Sequence, residues 1–331
     1  MEIKEIIGID VSKLTLDAHI HLKGVAERFT NTVDGIKEMC VWANENLGPA
    51  MDGLLFVFEH TGLYSDTLEE FLDTARLPYR IVPGLEIKRS LGIARGKDDR
   101  ADAKRIALYG WRTREEFVPR QRPDAKLADM KRLMSLRRKL VAQRAGHIAN
   151  LGEQRRVLGG DPHQRLYSCQ KAIIDCLDKE IAALESDIDG LIARDPKLNG
   201  MFTLLLTVKG IGKVTARFLI VYTNGFKWFA SWRKFASYVG IAPFPNTSGT
   251  SLKGRTKVNR MANKEGKVLL NMCACTAVQY SHEMKRYYEK RIGEGKDKMS
   301  TMNIIRNKVL ARAFAVVRRG TPYVDTMKFI S

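Results

Sequence analysis

The chain has 331 residues, 44% of them hydrophobic, enough to build two or three domains with sizeable cores. Lysine and arginine outnumber aspartate and glutamate by 56 to 37, leaving a net charge of +19 that points to an anionic partner such as nucleic acid. No apolar run reaches the length of a membrane span, and the opening MEIKEIIGIDVSK reads as a strand, not a signal peptide, so no membrane partner is expected.

Alternation of apolar residues predicts strands over 5–11, 15–22 and 25–31, the first two joined by the short turn Ser12-Lys13. A helix is predicted over 34–47 and a strand over 54–59. A helix over 63–76, a strand over 79–82 and helical stretches over 85–93 and 99–112 follow. Asp10 ends the run Ile6-Ile7-Gly8-Ile9, and Glu59 ends Leu54-Leu55-Phe56-Val57-Phe58. Each run reads as a buried strand, and a charge at its end needs a partner. Asp99 and Asp102 stand three apart and share a helix face; Asp98 and Asp102, four apart, pair equally well on a helix. Two strand-end acids with a helical pair can surround one or two Mg²⁺ (or Mn²⁺) ions, as metal-dependent phosphoryl transfer requires. Asp17 and Asp52 read as surface or turn acids, and His60 as a core histidine. The five cysteines are odd in number and lack a C-x-x-C pair, so reduced, mostly buried thiols are expected. Three strands followed by alternating helix and strand match an α/β, RNase H-like first domain over 1–120.

Residues 121–195 read as a helical arm. The segment 124–158 is a basic helix, and a break follows at Gly159-Gly160-Asp161-Pro162. Beyond it Ile174, Ile181 and Ile188 occupy one heptad position and Leu177, Leu184 and Leu191 another. Three such heptads predict a coiled coil and an oligomerisation arm; a hairpin packing only on itself is the alternative.

The third region, 196–331, is predicted to be mainly helical. From Pro196 to Lys264 it holds twelve lysines and arginines and no aspartate or glutamate, a stretch suited to phosphates and unable to supply acidic metal ligands. Within it, Val208-Lys209-Gly210-Ile211-Gly212-Lys213 has the pattern of a helix-hairpin-helix. There, Gly210 and Gly212 let backbone N–H groups approach a DNA phosphate, and Lys209 and Lys213 flank the turn. The segment 241–251 reads as a loop from its Pro, Gly, Asn and Ser content. Lys253, Arg255, Lys257 and Arg260 follow it as candidate phosphate contacts.

Six motifs occur in order: Gly8-Ile9-Asp10-Val11-Ser12-Lys13, Phe58-Glu59-His60-Thr61-Gly62, Lys97-Asp98-Asp99-Arg100-Ala101-Asp102, Gly210-Ile211-Gly212, Tyr238-Val239-Gly240-Ile241-Ala242-Pro243 and Ser248-Gly249. The set resembles the DEDD-type insertion-sequence transposases related to the Piv DNA invertase, described as bridge-RNA-guided recombinases. The resemblance implies a RuvC-like first domain, a coiled-coil arm and a C-terminal transposase domain with a nucleophilic serine. By motif, the metal-holding acids are Asp10, Glu59, Asp99 and Asp102, and the serine is Ser248, although the residues alone do not choose among Ser248, Thr247, Thr250 and Ser251. It further implies donor and target DNA, a guide (bridge) RNA, and a dimer or tetramer whose sites draw acids and serine from different protomers. The setting would be the bacterial cytoplasm, at the nucleoid. A RuvC-like nuclease using metal-activated water, a site-specific DNA invertase and a non-catalytic nucleic-acid scaffold are the alternatives.

Overall fold

The computed structural model describes residues 2–48, 53–90, 99–119, 124–159, 164–248, 252–259 and 261–324; at 99, 100, 246–248, 252, 253 and 255 the description is of backbone only. It divides into two compact units, Met1–Arg122 and Pro123–Ser331.

The first unit is built on a five-stranded sheet. Its strands are β1 (Glu5–Val11), β2 (Thr15–Ile20), β3 (Val25–Thr30), β4 (Leu54–Glu59) and β5 (Tyr79–Val82), in spatial order β3-β2-β1-β4-β5. β1, β4 and β5 run parallel, while β2 and β3 are antiparallel. The parallel centre is covered on both faces, which explains why β1 and β4 read as unbroken apolar runs. One face carries Ile7, Ile9, Leu16, Phe56 and Phe58 against α1 (Val33–Leu47) and α2 (Asp66–Thr74). The other carries Ile6, Leu55 and Val57 against α3 (Gly84–Ser90) and α4 (Asp99–Arg112). Thr32 caps α1 by accepting from the Gly35 N–H at 3.2 Å.

The second unit begins with two long helices, α5 (Ala125–Leu158) and α6 (Gln164–Ala193), packed antiparallel. Arg137 meets Glu185, Arg144 meets Asp178, and Gln170 donates to Gln154 along the pair. Ile188 and Ile192 are buried at its base, whereas Ile174, Leu177, Ile181 and Leu184 stay half-buried against α5. Then come α7 (Pro196–Thr207), α8 (Lys213–Tyr222), α9 (Trp232–Tyr238), the hairpin β6 (Pro243–Ser248) and β7 (Leu252–Val258), and α10 (Lys264–Tyr280), α11 (His282–Gly293) and α12 (Lys298–Arg319). Asp195 caps α7 with Pro196 in its first turn, and Asp297 caps α12. One core runs from Leu127, Met130 and Ile188 through Phe218 and Leu270 to Val309 and Leu310, so the base of the long helices belongs to it.

Two expectations change. The segment 241–251, read as a loop, contributes a strand: β6 pairs with β7 in a two-stranded ribbon with a register shift between Phe244 and Asn246. Pro243 and Pro245 suit such a ribbon, because an edge strand has N–H positions that need no partner. The thiols are not mostly buried: Cys169, Cys176 and Cys275 are exposed, and only Cys273 is buried outright. Burial pushes the half-buried Cys40 thiol up to about 11.

Candidate active site

The acids of the first unit gather by strand register. Gly8 faces α4 so closely that a Cβ there would lie 2.7 Å from the Ala107 Cα and nearer still to the Ala107 nitrogen and the Ala103 carbonyl. Side chains two apart on a strand share a face, so Asp10 points to the α4 side as Gly8 does. On β4, Val57 meets the position of a Cβ at Gly110 of α4, and Glu59 follows it on that face. Gly8 pairs with Val57 and Ile9 with Phe58, so Asp10 and Glu59 end adjacent parallel strands at the same edge. Since Gly110 lies over Ile6 while Ala103 and Ala107 lie over Gly8, α4 runs antiparallel to β1. Its first residue, Asp99, and Asp102 therefore stand at the edge where Asp10 and Glu59 end.

The electrostatics of this edge are uneven. Asp102 accepts from Arg105 at 2.7 Å. Asp17, expected at the surface, is 3% exposed and lies directly across from Asp10 in the sheet. Arg28 of β3 neutralises it at 2.9 Å. Helices cover this face too, so a strand acid between Leu16 and Ala18 is buried, not solvated. His60 is exposed and not in the core; its Nδ1 lies 3.3 Å from the Ser65 hydroxyl. Two carboxylates of adjacent strands with a third on a crossing helix are oxygen donors of the kind that suits Mg²⁺. Among the described residues no three His, Cys, Asp or Glu side chains lie close enough to hold an ion. Asp98, the rival of Asp99, lies outside the described residues.

On the second unit, Ser248 is the last residue of β6, paired in register with Leu252 across the hairpin tip. Thr250, Ser251 and Arg260 lie outside the described residues. Lys253, Arg255 and Lys257 lie along β7, and Lys257 is exposed. Gly210, at φ +97°, turns the chain between α7 and α8 against the Cys273 carbonyl, and Gly212 precedes the first residue of α8, Lys213. Lys209 and Lys213 are exposed, the latter 3.6 Å from Asp189. Arg217 is the exception in this stretch: it is 2% exposed and gives two hydrogen bonds to Asp189 of α6, at 3.0 and 2.6 Å.

A second network escaped the sequence. Asn303 and Asn307 both donate to the Ile241 carbonyl, at 2.9 and 3.1 Å, just before β6 begins. Arg306 beside them is 6% exposed and is held by the Asn271 and Asn303 side-chain oxygens. In the sequence Arg306 is one more basic residue of a basic tail; nothing there separates it from Arg318 or Arg319.

Charge is divided between the units. Met1–Arg122 holds 18 basic and 20 acidic residues, whereas Pro123–Ser331 holds 38 basic and 17 acidic. The whole excess of positive charge therefore sits on the second unit, while the clustered acids sit on the first.

Comparison with known proteins accounts for both units. A DEDD-type IS110 transposase family matches residues 7–154, and the IS116/IS110/IS902 transposase family matches residues 202–289. The pilin gene-inverting proteins of Moraxella bovis and Moraxella lacunata are each 29% identical over 97% of this chain and 98% of their own length. An uncharacterized 43.6 kDa protein of insertion element IS110 from Streptomyces coelicolor is 28% identical over 44% of this chain and 35% of its own length. No helix of the described residues is long and apolar enough to cross a membrane. Each unit thus carries a match to an IS110-type transposase domain, and the chain is a DNA recombinase or transposase.

Proposed function

We propose that the chain cuts and rejoins DNA through a covalent phosphoserine at Ser248, with Asp10, Glu59, Asp99 and Asp102 holding divalent metal for that reaction. The observation that carries this reading is the convergence of Asp10 and Glu59 at the ends of adjacent strands beneath the start of α4. The strand order β3-β2-β1-β4-β5 supports an RNase H-like, RuvC-like first unit. Mg²⁺, when bound, would lower the pKa of a nearby hydroxyl and offset the charge that develops on the scissile phosphate.

The protein's own groups set the remaining steps. The Ser248 oxygen forms a bond to phosphorus as the bond to the leaving sugar oxygen breaks, and the reverse displacement by a different strand end completes the exchange. The seryl proton must pass to a group outside 196–264, since that stretch contains no Asp, Glu or His. The site is therefore composite, with acids from the first unit of one protomer and the nucleophile from the second unit of another. Lys209, Gly210, Gly212 and Lys213, in a helix-hairpin-helix, together with Lys253, Arg255, Lys257 and Arg260, hold the DNA backbone. The exposure of Lys209, Lys213 and Lys257 and the lack of any Asp or Glu in the sequence from 196 to 264 favour phosphate contact.

The α5–α6 arm, with Val141, Ile148 and Ile173 exposed along it, supports a coiled-coil dimer or tetramer. A structured guide RNA would supply sequence choice by base pairing, which leaves the protein to read backbone shape. The full-length likeness to the pilin gene-inverting proteins favours a second outcome of the same chemistry, inversion of a DNA segment. The test is strand joining on supercoiled donor and target DNA with Mg²⁺ and candidate guide RNA. Asp10→Asn and Ser248→Ala are each expected to abolish joining. Cleavage that persists in Ser248→Ala would favour activated water and sink the serine mechanism.

A further inference from the structure

Glu59 is held in an unusual way. Its side chain is half-buried and makes no hydrogen bond or ion pair among the described residues. Its carboxylate lies instead in the space that a side chain at Gly84 would fill. A Cβ on Gly84 would come 2.7 Å from the Glu59 Oε2 and closer still to its Cδ and Oε1. Real Cβ atoms do not approach other atoms that closely, so no residue but glycine leaves room for the carboxylate in this position. The backbone dihedral of Gly84 lies outside the left-handed region, so conformation does not demand glycine here. The demand is for space. Sequence order reinforces the point: Val82 pairs with Glu59 across β4 and β5, and Pro83 then delivers Gly84 to the strand end where the carboxylate emerges.

We propose that Gly84 is a positioning residue for Glu59, its missing side chain forming the seat that aims the carboxylate along the edge shared with Asp10. The inference rests on the reading of Glu59 as a metal-holding acid. A half-buried carboxylate positioned by shape alone keeps its oxygens available to a cation, where an arginine partner would have claimed them. A methyl group at Gly84 would push the carboxylate out of its seat, and outer residues that orient metal-holding groups typically govern about ten- to a hundredfold in metal affinity.

The test is a double-mutant cycle in the full chain: wild type, Gly84→Ala, Glu59→Ala and the double variant. Two readouts are taken, the thermal unfolding midpoint in EDTA and Mn²⁺ affinity by calorimetry. Gly84→Ala is expected to give a less favourable midpoint shift in the wild type, where the carboxylate tip must swing aside, than in the Glu59→Ala background, where the seat is vacant and alanine favours the helix. Mn²⁺ affinity is expected to fall about tenfold or more in Gly84→Ala. An equal midpoint shift in both backgrounds overturns the seat. So does unchanged Mn²⁺ affinity in Gly84→Ala alongside a loss in Glu59→Ala. If Gly84→Ala alone fails to fold, recovery of folding in the double variant supports the seat, and its absence overturns it. Unchanged Mn²⁺ affinity in Glu59→Ala instead removes Glu59 from the metal site, while the midpoints still decide the seat.

Discussion

Gly8→Ala is the sharpest single perturbation of the acid cluster that leaves every acid in place. The added methyl group would meet backbone, not side-chain tips, since the atoms in its way are the Ala107 nitrogen and Cα and the Ala103 carbonyl oxygen. Ordinary contact begins at 3.4 Å and the Ala107 Cα stands at 2.7 Å, so α4 must retreat by at least about 0.7 Å. Overpacking that cannot be relieved by rotamers costs about 1 to 3 kcal/mol. The same retreat carries Asp102 away from Asp10, and a displacement of this size in a reacting constellation costs roughly ten- to a hundredfold in rate. Gly110→Ala is the internal control. The nearest atoms to its Cβ would be methyl groups of the buried Val57 and Ile6, at 2.8 and 3.0 Å, a lesser overlap than that at Gly8, and alanine is the better helix former. Urea unfolding and metal-dependent strand joining should therefore show a larger loss for Gly8→Ala than for Gly110→Ala. Equal stabilities and equal rates for the two variants would refute the placement of α4 over β1.

Other predictions follow from single contacts. Asp189→Ala strips Arg217, at 2% exposure, of its partner and should cost about 3 kcal/mol in urea unfolding, the lower end for a buried pair because Asp189 is itself 35% exposed; Arg217→Met should cost far less, and equal losses would contradict the pairing. Burial, followed by Lys104 and then His21, lowers the pKa of His19, and burial likewise dominates the lowering at His21. Below pH 6.5 the unfolded chain thus binds protons that these folded imidazoles refuse, so stability should fall as the pH drops through that value. His19→Gln should flatten the decline measured by thermal unfolding, and an unchanged slope would count against it. If the arm joins protomers as proposed, replacing the exposed Ile148 and Ile173 together by aspartate should leave the helical content unchanged yet reduce the particle to a monomer in light scattering; an unaltered mass would place the protomer contact elsewhere.

Much of the first unit is legible in the sequence because its chemistry is one-dimensional. A buried strand is an apolar run, and an acid that ends it is visible at once, as at Asp10 and Glu59. The helix that covers those strands is legible for the same reason, through Ala103, Ile106 and Ala107 at helical spacing. What escapes depends on the third dimension. Asp17 alternates with Leu16 and Ala18 as a solvent-facing residue would, and only the helix on the second face buries it. The β6–β7 ribbon carries Pro243, Pro245 and Ser248, residues that read as loop unless one knows that an edge pair tolerates them. The hold on Ile241 by Asn303 and Asn307 spans more than sixty residues of sequence, and amides four apart on a helix announce nothing by themselves. Gly84 looks like a turn residue after Pro83 until Glu59 is seen to occupy its side-chain space.

The central claim is that acids of the first unit act on a phosphodiester held covalently by a serine of the second. The most direct measurement is trapping of a protein–DNA adduct on nicked substrate with Mg²⁺, followed by mass spectrometry of the nucleotide-bearing peptide. The account predicts a phosphoserine at Ser248 that disappears in Asp10→Asn as well as in Ser248→Ala. Efficient cleavage with no covalent adduct, or an adduct at another hydroxyl such as Thr247, would contradict it.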